Sequence, residues 1–310
     1  MQNTTEKSSR SAEGLYKFFI YFVLVLLAVT IIVPVAWVFM ASIKQNAEFY
    51  GNPWALPAGF YWQNFVNAWN GAKMGEYMLN SVIVTALALA LLLVVALPAA
   101  YCLSRFHFKG CKVLNTLFMA GLFINVNYIV VPIFLMLRDG DVWLKSHFGS
   151  GFLLNNLVVL AVVYAATALP FTIYLLSGYF ATLPHDFEEA AYIDGANELQ
   201  ILWKVIVPLC KPALATFTLF HAVGHWNGYF NATMYINSRD KWPLMLIVRE
   251  MVAESGTSMV HQSATAIEDL AQPFTLQMAI IIFTIIPILC VYPFVQKYFM
   301  KGMLMGSVKG

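Results

Sequence analysis

The 310-residue sequence contains very little charge. Only 11% of its residues are Asp, Glu, Lys or Arg, whereas a soluble domain carries about 25%. Charge is absent from several long apolar blocks, each of at least the roughly 20 residues that a helix needs to cross a bilayer. The net charge of +2 provides no strongly basic face for nucleic acid. The composition therefore argues against a soluble protein and indicates a polytopic membrane protein.

Several sequence signatures are also missing. No G-x-x-x-x-G-K-[ST] phosphate loop occurs, so the chain cannot bind ATP by that device. The first apolar run, residues 18–41, is far longer than the roughly 7–15 residues of a signal-peptide core and precedes no A-x-A site, which predicts an uncleaved first span. A disulfide framework is not expected, because the cysteines fall in predicted spans or cytoplasmic loops. They are Cys102, Cys111, Cys210 and Cys290.

Six apolar segments are long enough to cross a membrane. Each is predicted to be a helix because lipid offers the backbone no hydrogen-bond partner, and their length excludes the shorter alternating strands of an outer-membrane barrel. The six segments are residues 18–41, 78–103, 113–137, 154–178, 213–236 and 275–299. We expect an all-α membrane protein with a tail at residues 1–17, a six-helix transmembrane domain at 18–299 and a second tail at 300–310.

The distribution of Lys and Arg predicts the orientation of these spans. If the N-terminus lies in the cytoplasm, the inner segments hold eleven of these residues and the outer segments seven, although the outer loops are longer in total. The short basic cluster at residues 105–112, beside two spans, contributes most to this bias. Both termini are therefore predicted to be cytoplasmic.

The inner loop at residues 179–212 carries signals for ordered helices outside the bilayer. Asp186, Glu188 and Glu189 place negative charge near the positive end of a first helix. Gly195 is suited to end that helix in the left-handed conformation. Such a structured loop predicts docking to a partner protein, although an amphipathic helix lying on the lipid surface fits the same pattern.

A second short helix is predicted in the same loop. Asn197 can cap it, and Gln200 stands three residues later as in a capping box. Pro208 is expected to break this helix before the fifth span. The loop is thus predicted to form a helix–turn–helix on the cytoplasmic side.

The residues of this loop also carry a family resemblance. Glu189-Ala190-Ala191, then Gly195, then Val205-Ile206-Val207-Pro208 resembles the EAA loop of binding-protein-dependent ABC importers, E-A-A-x3-G-x9-I-x-L-P, with valines in place of the isoleucine and the leucine. In that family the loop is the coupling helix that sits in a groove of the ATPase subunit. The resemblance implies an ATPase-coupling role for Glu188, Glu189, Ala190, Ala191, Asp194, Gly195 and Pro208.

The resemblance extends over nearly the whole chain, including the tail at residues 297–302. It implies the fold of type I ABC importer (MetI-like) permeases, in the MalG-like sugar permease branch. Residues 224–250 are most similar to the LplC/YtcP branch, whose relatives include importers of uronate-containing oligosaccharides. One departure is Ile124-Asn125-Val126-Asn127 in the third span, where the family has Ile-Pro-x-Gln and this sequence lacks the proline.

The resemblance also implies the partners and the location of the chain. A second, non-identical permease, two ATPase subunits and an extracytoplasmic solute-binding protein would join it in the bacterial cytoplasmic (inner) membrane. The chain itself would be no enzyme and hold no cofactor, since ATP and Mg would bind to the ATPase subunits. The transported substrate would be a di- or oligosaccharide, with uronate-containing ones included. The C-terminal residues 302–310 are a second candidate contact with the ATPase.

The fifth span contains a polar stripe that is a candidate translocation path. At 100° per residue, its polar and glycine residues fall within an arc of about 160°, and polar groups in lipid usually face the bundle interior or a wet cavity. Close helix packing explains such a stripe equally well. The side chains that could bind a sugar are His221, His225, Asn227 and Asn231. Trp226 lies on the opposite side and is predicted to serve packing.

Three other functions are weaker. His221 and His225 stand four residues apart, as zinc ligands can, but no glutamate or third ligand accompanies them. An ion-coupled secondary transporter usually needs charged groups at membrane depth, and the predicted spans hold none there. A membrane enzyme is disfavoured because the sequence contains no nucleophile elbow, metal triad or paired intramembrane carboxylates.

Overall fold

The computed structural model describes residues 2–261 and 273–307, and every regular element within them is helical. Internal contacts divide these residues into two units. The first unit consists of the chain up to Ala72 and the start of the last helix, up to Phe283. The second begins at Lys73 and also includes the last helix from Thr284 onward. Residues 308–310 of the predicted C-terminal tail lie outside the described part.

The first unit contains the first predicted span. Its elements are α1 (Gln2–Ser42), α2 (Asn46–Gly51) and α3 (Gln63–Asn70), with the beginning of the last helix, Phe274–Ser307. α1 begins at Gln2, so this helix also includes most of the predicted N-terminal tail. After α1, the side chain of Lys44 is fully buried and its Nζ donates to the backbone oxygens of Asn52 and Pro53 at 3.2 and 3.1 Å. These bonds fix the turn that follows the first span.

The second unit contains most of the chain. Its elements are α4 (Met74–Arg105), α5 (Cys111–Gly121), α6 (Val126–Phe148), α7 (Leu157–Ala181), α8 (Asp186–Ile193), α9 (Glu198–Ile201), α10 (Val207–Leu209), α11 (Lys211–Trp226), α12 (Phe230–Tyr235), α13 (Leu244–His261) and the later part of α14 (Phe274–Ser307). A π-helical segment, Leu202–Ile206, joins α9 to α10. All four cysteines are free thiols.

Four of the predicted spans are confirmed as single helices long and apolar enough to cross a membrane. They are Tyr16–Ser42, Met74–Arg105, Leu157–Ala181 and Phe274–Pro293. The third and fifth spans were predicted as single helices, and this is wrong. The third span is a bent pair, in which α5 and α6 meet at 104°. The fifth predicted span is interrupted between α11, which ends at Trp226, and α12, which begins at Phe230. Just before this span, Glu198–Leu209 meets α11 at 81°. The described residues thus provide six spans if each bent pair is counted as one.

The third span breaks because the chain supplies a helix cap in its middle. Asn125 has extended backbone angles and its side chain accepts a hydrogen bond from the amide of Asn127 at 3.0 Å, which caps α6. An Asn cap satisfies an amide that would otherwise have no partner at the helix start. The break therefore falls at Asn125, the position where the sequence resemblance leads us to expect a proline.

The core of the second unit is formed chiefly by α4 and α7. Alanines on α4 admit close approach of α7, as small residues do between membrane helices. At one end, buried residues of α8, α9 and the π-helical segment join the same cluster. Its members include Ala96, Ala100, Ile173, Leu176, Phe180, Ala191, Ile201, Leu202 and Ile206. The loop after α7 is therefore packed onto the transmembrane helices.

Asparagines order the opposite end of the second unit. Asn156 caps α7 by accepting from the amide of Val158 at 2.8 Å. Asn155 instead bonds Ser238 twice, donating to its Oγ at 2.6 Å and accepting from its amide at 2.9 Å. Asn80 donates to the carbonyl of Asp240 at 2.8 Å. The loop before α13 is thus held by residues distant in sequence.

Candidate functional site

α8 forms and ends as the sequence predicts. Its first turn carries the acidic residues Asp186, Glu188 and Glu189, which favour the positive end of the helix dipole. Gly195 has φ +78°, and its amide donates to the carbonyl of Tyr192 at 3.0 Å. The next amide, that of Ala196, donates to the carbonyl of Ala191 at 3.0 Å. These two bonds make a Schellman motif, which satisfies carbonyls that the helix leaves free.

The capping box of α9 is also confirmed. The Asn197 side chain accepts from the Gln200 amide at 2.9 Å, and the Gln200 side chain accepts from the Asn197 amide at 3.0 Å. The predicted break at Pro208 is wrong. Pro208 lies in α10, directly after the π-helical segment, and the helical stretch continues through it to the 81° bend at Cys210.

The segment between α7 and α11 lies within the predicted loop at residues 179–212. α7 ends at Ala181 and α11 begins at Lys211, so residues 182–210 separate the two helices. We call residues 182–210 the docking segment. α8 and α9 are its first two helices.

The seven coupling candidates divide into an outer and an inner set. Glu189, Ala190, Asp194, Gly195 and Pro208 are exposed on the docking segment. The other two, Glu188 and Ala191, are buried. The Glu188 carboxylate lies 2.8 Å from Nε of Arg105, at the end of α4, and Ala191 packs in the α4–α7 core.

Large apolar side chains are exposed beside the outer set. Ile193 is 87% exposed, and Phe187, Tyr192 and Leu199 are also exposed. Contiguous apolar surface of this kind marks interaction sites on proteins. Tyr192 donates a hydrogen bond to the Glu198 carboxylate, and this bond is the main reason that the pKa of Tyr192 is raised to about 12. This hydrogen bond joins α8 to the first residue of α9.

The polar stripe predicted along the fifth span does not lie on one helix. α11 ends at Trp226, and a short turn leads into α12. His225, Asn227 and Asn231 nevertheless line one open cavity of about 640 Å³. His221 does not line it, since its imidazole is buried with Nε2 2.8 Å from Oγ1 of Thr172. Three of the four path candidates are brought together, and His221 serves packing between α7 and α11.

Residues from α6 and α7 complete this cavity. Asn127, Tyr164 and Thr167 contribute to its lining, and sequence reasoning missed all three. The Tyr164 ring stacks on the His225 ring at a centroid distance of 5.0 Å, and its hydroxyl donates to the carbonyl of Gly228 at 2.7 Å. A Cβ at Gly228 would lie 2.8 Å from that hydroxyl oxygen, so glycine is required there. The spacing of the glycines in the fifth span was the available signal for this close approach.

Two buried polar atoms next to the cavity have no hydrogen-bond partner in the described part of the chain. They are Nε2 of His225 and Oδ1 of Asn231. Burying a polar atom without a partner costs free energy. Such atoms mark a place where a polar molecule or a neighbouring chain can supply the missing bond.

The other side of α11 is apolar, as predicted for Trp226. The Trp226 side chain is buried, and its Nε1 donates to the carbonyl of Thr284 at 3.2 Å. An apolar cavity of about 490 Å³ lies beside it, lined by α4, α11 and α14. Within the described residues, no group of three or more His, Cys, Asp or Glu side chains is arranged to hold a metal ion.

Comparison with known proteins relates this arrangement to transport. Residues 93–305 match the family model described as binding-protein-dependent transport system inner membrane component. The diacetylchitobiose uptake system permease protein NgcG of Streptomyces coelicolor is 32% identical, over 98% of this chain and 92% of that protein. The polygalacturonan/rhamnogalacturonan transport system permease protein YtcP of Bacillus subtilis is 32% identical, over 96% of this chain and 99% of that protein.

A solved structure shares the fold over most of the chain. It is a crystal structure of a bacterial ABC transporter involved in the import of the acidic polysaccharide alginate. The TM-score is 0.77 and the sequence identity 30%, over 93% of this chain and 98% of the compared chain. The sequence prediction of a MetI-like, all-α membrane fold is confirmed.

Proposed function

Since the chain belongs to the family of binding-protein-dependent transport system inner membrane components, we propose that it is the permease subunit through which an ATP-driven importer moves a di- or oligosaccharide into the cytoplasm. Separate ATPase subunits bind ATP and Mg and hydrolyse the nucleotide. The absence of a phosphate loop from the sequence supports this division of labour. The chain itself performs transport and not hydrolysis.

The docking segment is the observation that carries this proposal. α8 is capped at its end by a Schellman motif, α9 begins with a capping box, and the apolar side chain of Ile193 stands exposed beside Glu189. An ordered helix pair with exposed apolar and acidic groups suits a groove on a partner protein. The outer set, Glu189, Ala190, Asp194, Gly195 and Pro208, faces the ATPase, while Glu188 and Ala191 support it from inside.

The same segment can transmit movement to the cavity. Ala191 and Ile201 of the docking segment pack in one core with α4 and α7. The segment then continues through α10 into α11, which carries His225 at the cavity. When the ATPase subunits close on ATP, the docked segment moves with them and the helices swing between outward and inward openings.

The cavity suits a carbohydrate. His225, Asn227 and Asn231 offer hydrogen bonds to hydroxyl groups, and Tyr164 and Tyr229 offer aromatic surface. The guanidinium of Arg249 lies 5.7 Å from the centroid of the Tyr229 ring, so a cation stands next to the cavity for a uronate carboxylate. The names of the two relatives and of the alginate transporter all concern carbohydrates. The proposed substrates therefore include both neutral and uronate-containing oligosaccharides.

The complete transporter would contain further subunits. We place a second, non-identical permease beside this chain, two ATPase subunits against the docking segments and a solute-binding protein on the outer face. Both termini and the docking segment face the cytoplasm, consistent with the excess of Lys and Arg on that side. An ion-coupled secondary transporter is not favoured, because the family depends on a binding protein.

Reconstitution tests the function directly. The permease pair, the ATPase and the binding protein are assembled in proteoliposomes, and uptake of labelled diacetylchitobiose and oligogalacturonate is measured with ATP inside. We expect uptake of at least one sugar that requires ATP, the ATPase and the binding protein together. Equal uptake without the ATPase subunits would contradict the proposal.

A further inference from the structure

Arg105 is the last residue of α4, and its guanidinium contacts the docking segment at three points. Nε lies 2.8 Å from Oε1 of Glu188. Nη2 donates to the carbonyl of Leu183 at 2.9 Å, and Nη1 lies 3.1 Å from Nε2 of His185. One side chain of a transmembrane helix thus holds the turn before α8 and the first turn of α8.

This ion pair is buried, unlike the other pairs described in the second unit. The Arg105 and Glu188 side chains are 4% and 9% exposed, whereas at least one member of each other pair is well exposed, as in Arg138–Asp139 at 51% and 68%. Exposed pairs contribute little to stability. Nε of Arg105 and Oε1 of Glu188 form no hydrogen bond among the described residues, so the pair is a contact between charges. A buried ion pair contributes orientation more than net stability, since apolar residues of similar size often replace such pairs without loss.

α8 also has an apolar contact with the transmembrane core. Ala191, in the core cluster, is held by apolar packing, which is not directional. A planar guanidinium with several fixed donors is directional. Of the three groups that Arg105 contacts, Glu188 lies within α8, and it shares the buried face of this helix with Ala191. The ion pair therefore helps to set the rotation of α8 about its own axis, which leaves Glu189 facing outward.

We propose that Arg105 is a positioning residue that, with Glu188, locks α8 to the end of α4, so that movement of the docked segment is passed to the transmembrane helices. This inference rests on the proposed transport function. It assigns different tasks to two adjacent glutamates. Glu188 binds inside the permease, and Glu189 is left free to face the ATPase.

The experiment replaces the charges of Arg105 and Glu188 together. This separates an effect on the orientation of α8 from an effect on the stability of the permease. Variants Arg105→Met/Glu188→Met, Arg105→Gln, Glu188→Gln and Arg105→Lys are compared with the wild type in the reconstituted complex. Arg138→Gln, which removes an exposed pair, is the matched control. Thermal unfolding of the permease, the amount of ATPase bound and sugar transported per ATP hydrolysed are measured for each.

The double variant gives the decisive result. We expect it to unfold at or above the wild-type temperature and to bind the ATPase, while sugar transported per ATP falls by about 5-fold or more, a typical coupling effect between two sites. The single Gln variants lose stability as well as coupling, because each leaves one charge or amide buried without its partner. Arg105→Lys keeps the positive charge but loses the planar set of guanidinium donors. Its sugar transported per ATP should lie between the values for the wild type and the double variant.

Each outcome has a distinct meaning. Wild-type coupling in both the double variant and Arg105→Lys would overturn the positioning role and leave Arg105 a stability residue. If the double variant does not fold, Arg105→Lys decides, since loss of coupling at unchanged unfolding temperature supports the role and unchanged coupling contradicts it. A wild-type complex without ATP-dependent uptake would instead disprove the proposed function, whatever the variants do.

Discussion

At Gly195 a single backbone angle shapes the docking segment. The residue has φ +78° and donates its amide to the carbonyl of Tyr192. Proline cannot adopt this angle and has no amide hydrogen, whereas Asn enters the left-handed region readily. We expect Gly195→Pro to abolish coupling of ATP hydrolysis to uptake while membrane insertion continues, and Gly195→Asn to retain most of it. ATP hydrolysis and sugar uptake are measured together in proteoliposomes.

Gly195→Ala provides a graded control. A Cβ at this position meets no atom within 4 Å, so the variant suffers only the left-handed strain of roughly 1–2 kcal/mol. An intermediate loss of coupling is expected for it. Normal transport by Gly195→Pro would show that the end of α8 has no part in docking.

His225 is the residue on which the translocation path depends most. Its ring lines the cavity, stacks on Tyr164 and has a buried nitrogen without a hydrogen-bond partner among the described residues. His225→Leu removes the polar group and keeps similar volume, so we expect lower uptake or a changed choice of sugar with no loss of stability. His147→Leu, an exposed histidine of α6, is the control. Unchanged kinetics for several sugars would favour a packing role.

Residue roles were predictable from sequence only where local pattern determines them. The capping pair Asn197 and Gln200 needs neighbours within the same turn, and it was predicted correctly. The partners of Asn155 and Arg105 stand about 80 residues away. No local pattern could supply them, because these contacts depend on how distant helices pack. The helical pattern of the fifth span made His221 a candidate for the translocation path. In the structure its imidazole is bound by the hydroxyl group of Thr172 in α7.

At the level of the elements, variants at the break between α5 and α6 show whether an Asn cap can take the place of a proline. Asn125 has φ −70°, an angle that proline also adopts. Both Asn125→Pro and Asn125→Ala lose the side-chain cap, which contributes about 1 kcal/mol. Proline still fixes φ near the observed value, so Asn125→Pro should keep the bend and the transport rate, whereas Asn125→Ala should be less stable and keep the bend less well. Thermal unfolding and uptake are compared, with Asn115→Ala within α5 as the control. A stable, active Ala variant together with an inactive Pro variant would contradict this account.

The outer surface of α8 is the element that should contact the ATPase. Glu189 is exposed in its first turn. We expect Glu189→Lys to weaken ATPase binding and uncouple hydrolysis from uptake, while insertion and thermal stability of the permease stay unchanged. Asp139→Lys, which reverses an exposed acidic residue of α6, is the control. Co-purification of the ATPase with the permease measures the effect, and full retention would place Glu189 outside the interface.

Hydropathy predicted where the apolar elements lie but not whether each is continuous. The mean hydropathy of a sequence window does not depend on whether the helix is continuous or is interrupted, as it is at residues 122–125. The interruptions arise from a cap at Asn125 and from the turn at Asn227. Neither changes the mean hydropathy of its segment. Helix bends of this kind come from single residues and their partners rather than from composition.

For the whole molecule, the source of energy is the property to test. The transporter is expected to keep its ATP-dependent uptake when ionophores collapse the proton and sodium gradients, because no step depends on an ion moving inward. The measurement uses proteoliposomes with ATP inside, with and without ionophore, and a known proton-coupled sugar carrier as the positive control. A loss of uptake on adding ionophore would revive the ion-coupled alternative.

The all-α membrane fold was predictable because it follows from composition and from the hydrogen bonds that lipid demands. The cavity was predictable only in part. Its lining joins α6, α7, α11 and α12, and the sequence of the fifth span could indicate only the residues that this span contributes. Tyr164, which stacks on His225, carries no sequence signal that separates it from an ordinary apolar-face tyrosine.

The π-helical segment Leu202–Ile206 has a consequence for how the chain tolerates changes in length. Its closing bond runs from the amide of Val207 to the carbonyl of Leu202, five residues apart instead of four. The widened turn therefore holds one surplus residue. Losing a residue here could be absorbed by tightening the turn, whereas an equal loss inside α9 or α10 would rotate everything downstream by about 100°. This turn is the place where insertions and deletions between docking and transport helices can accumulate.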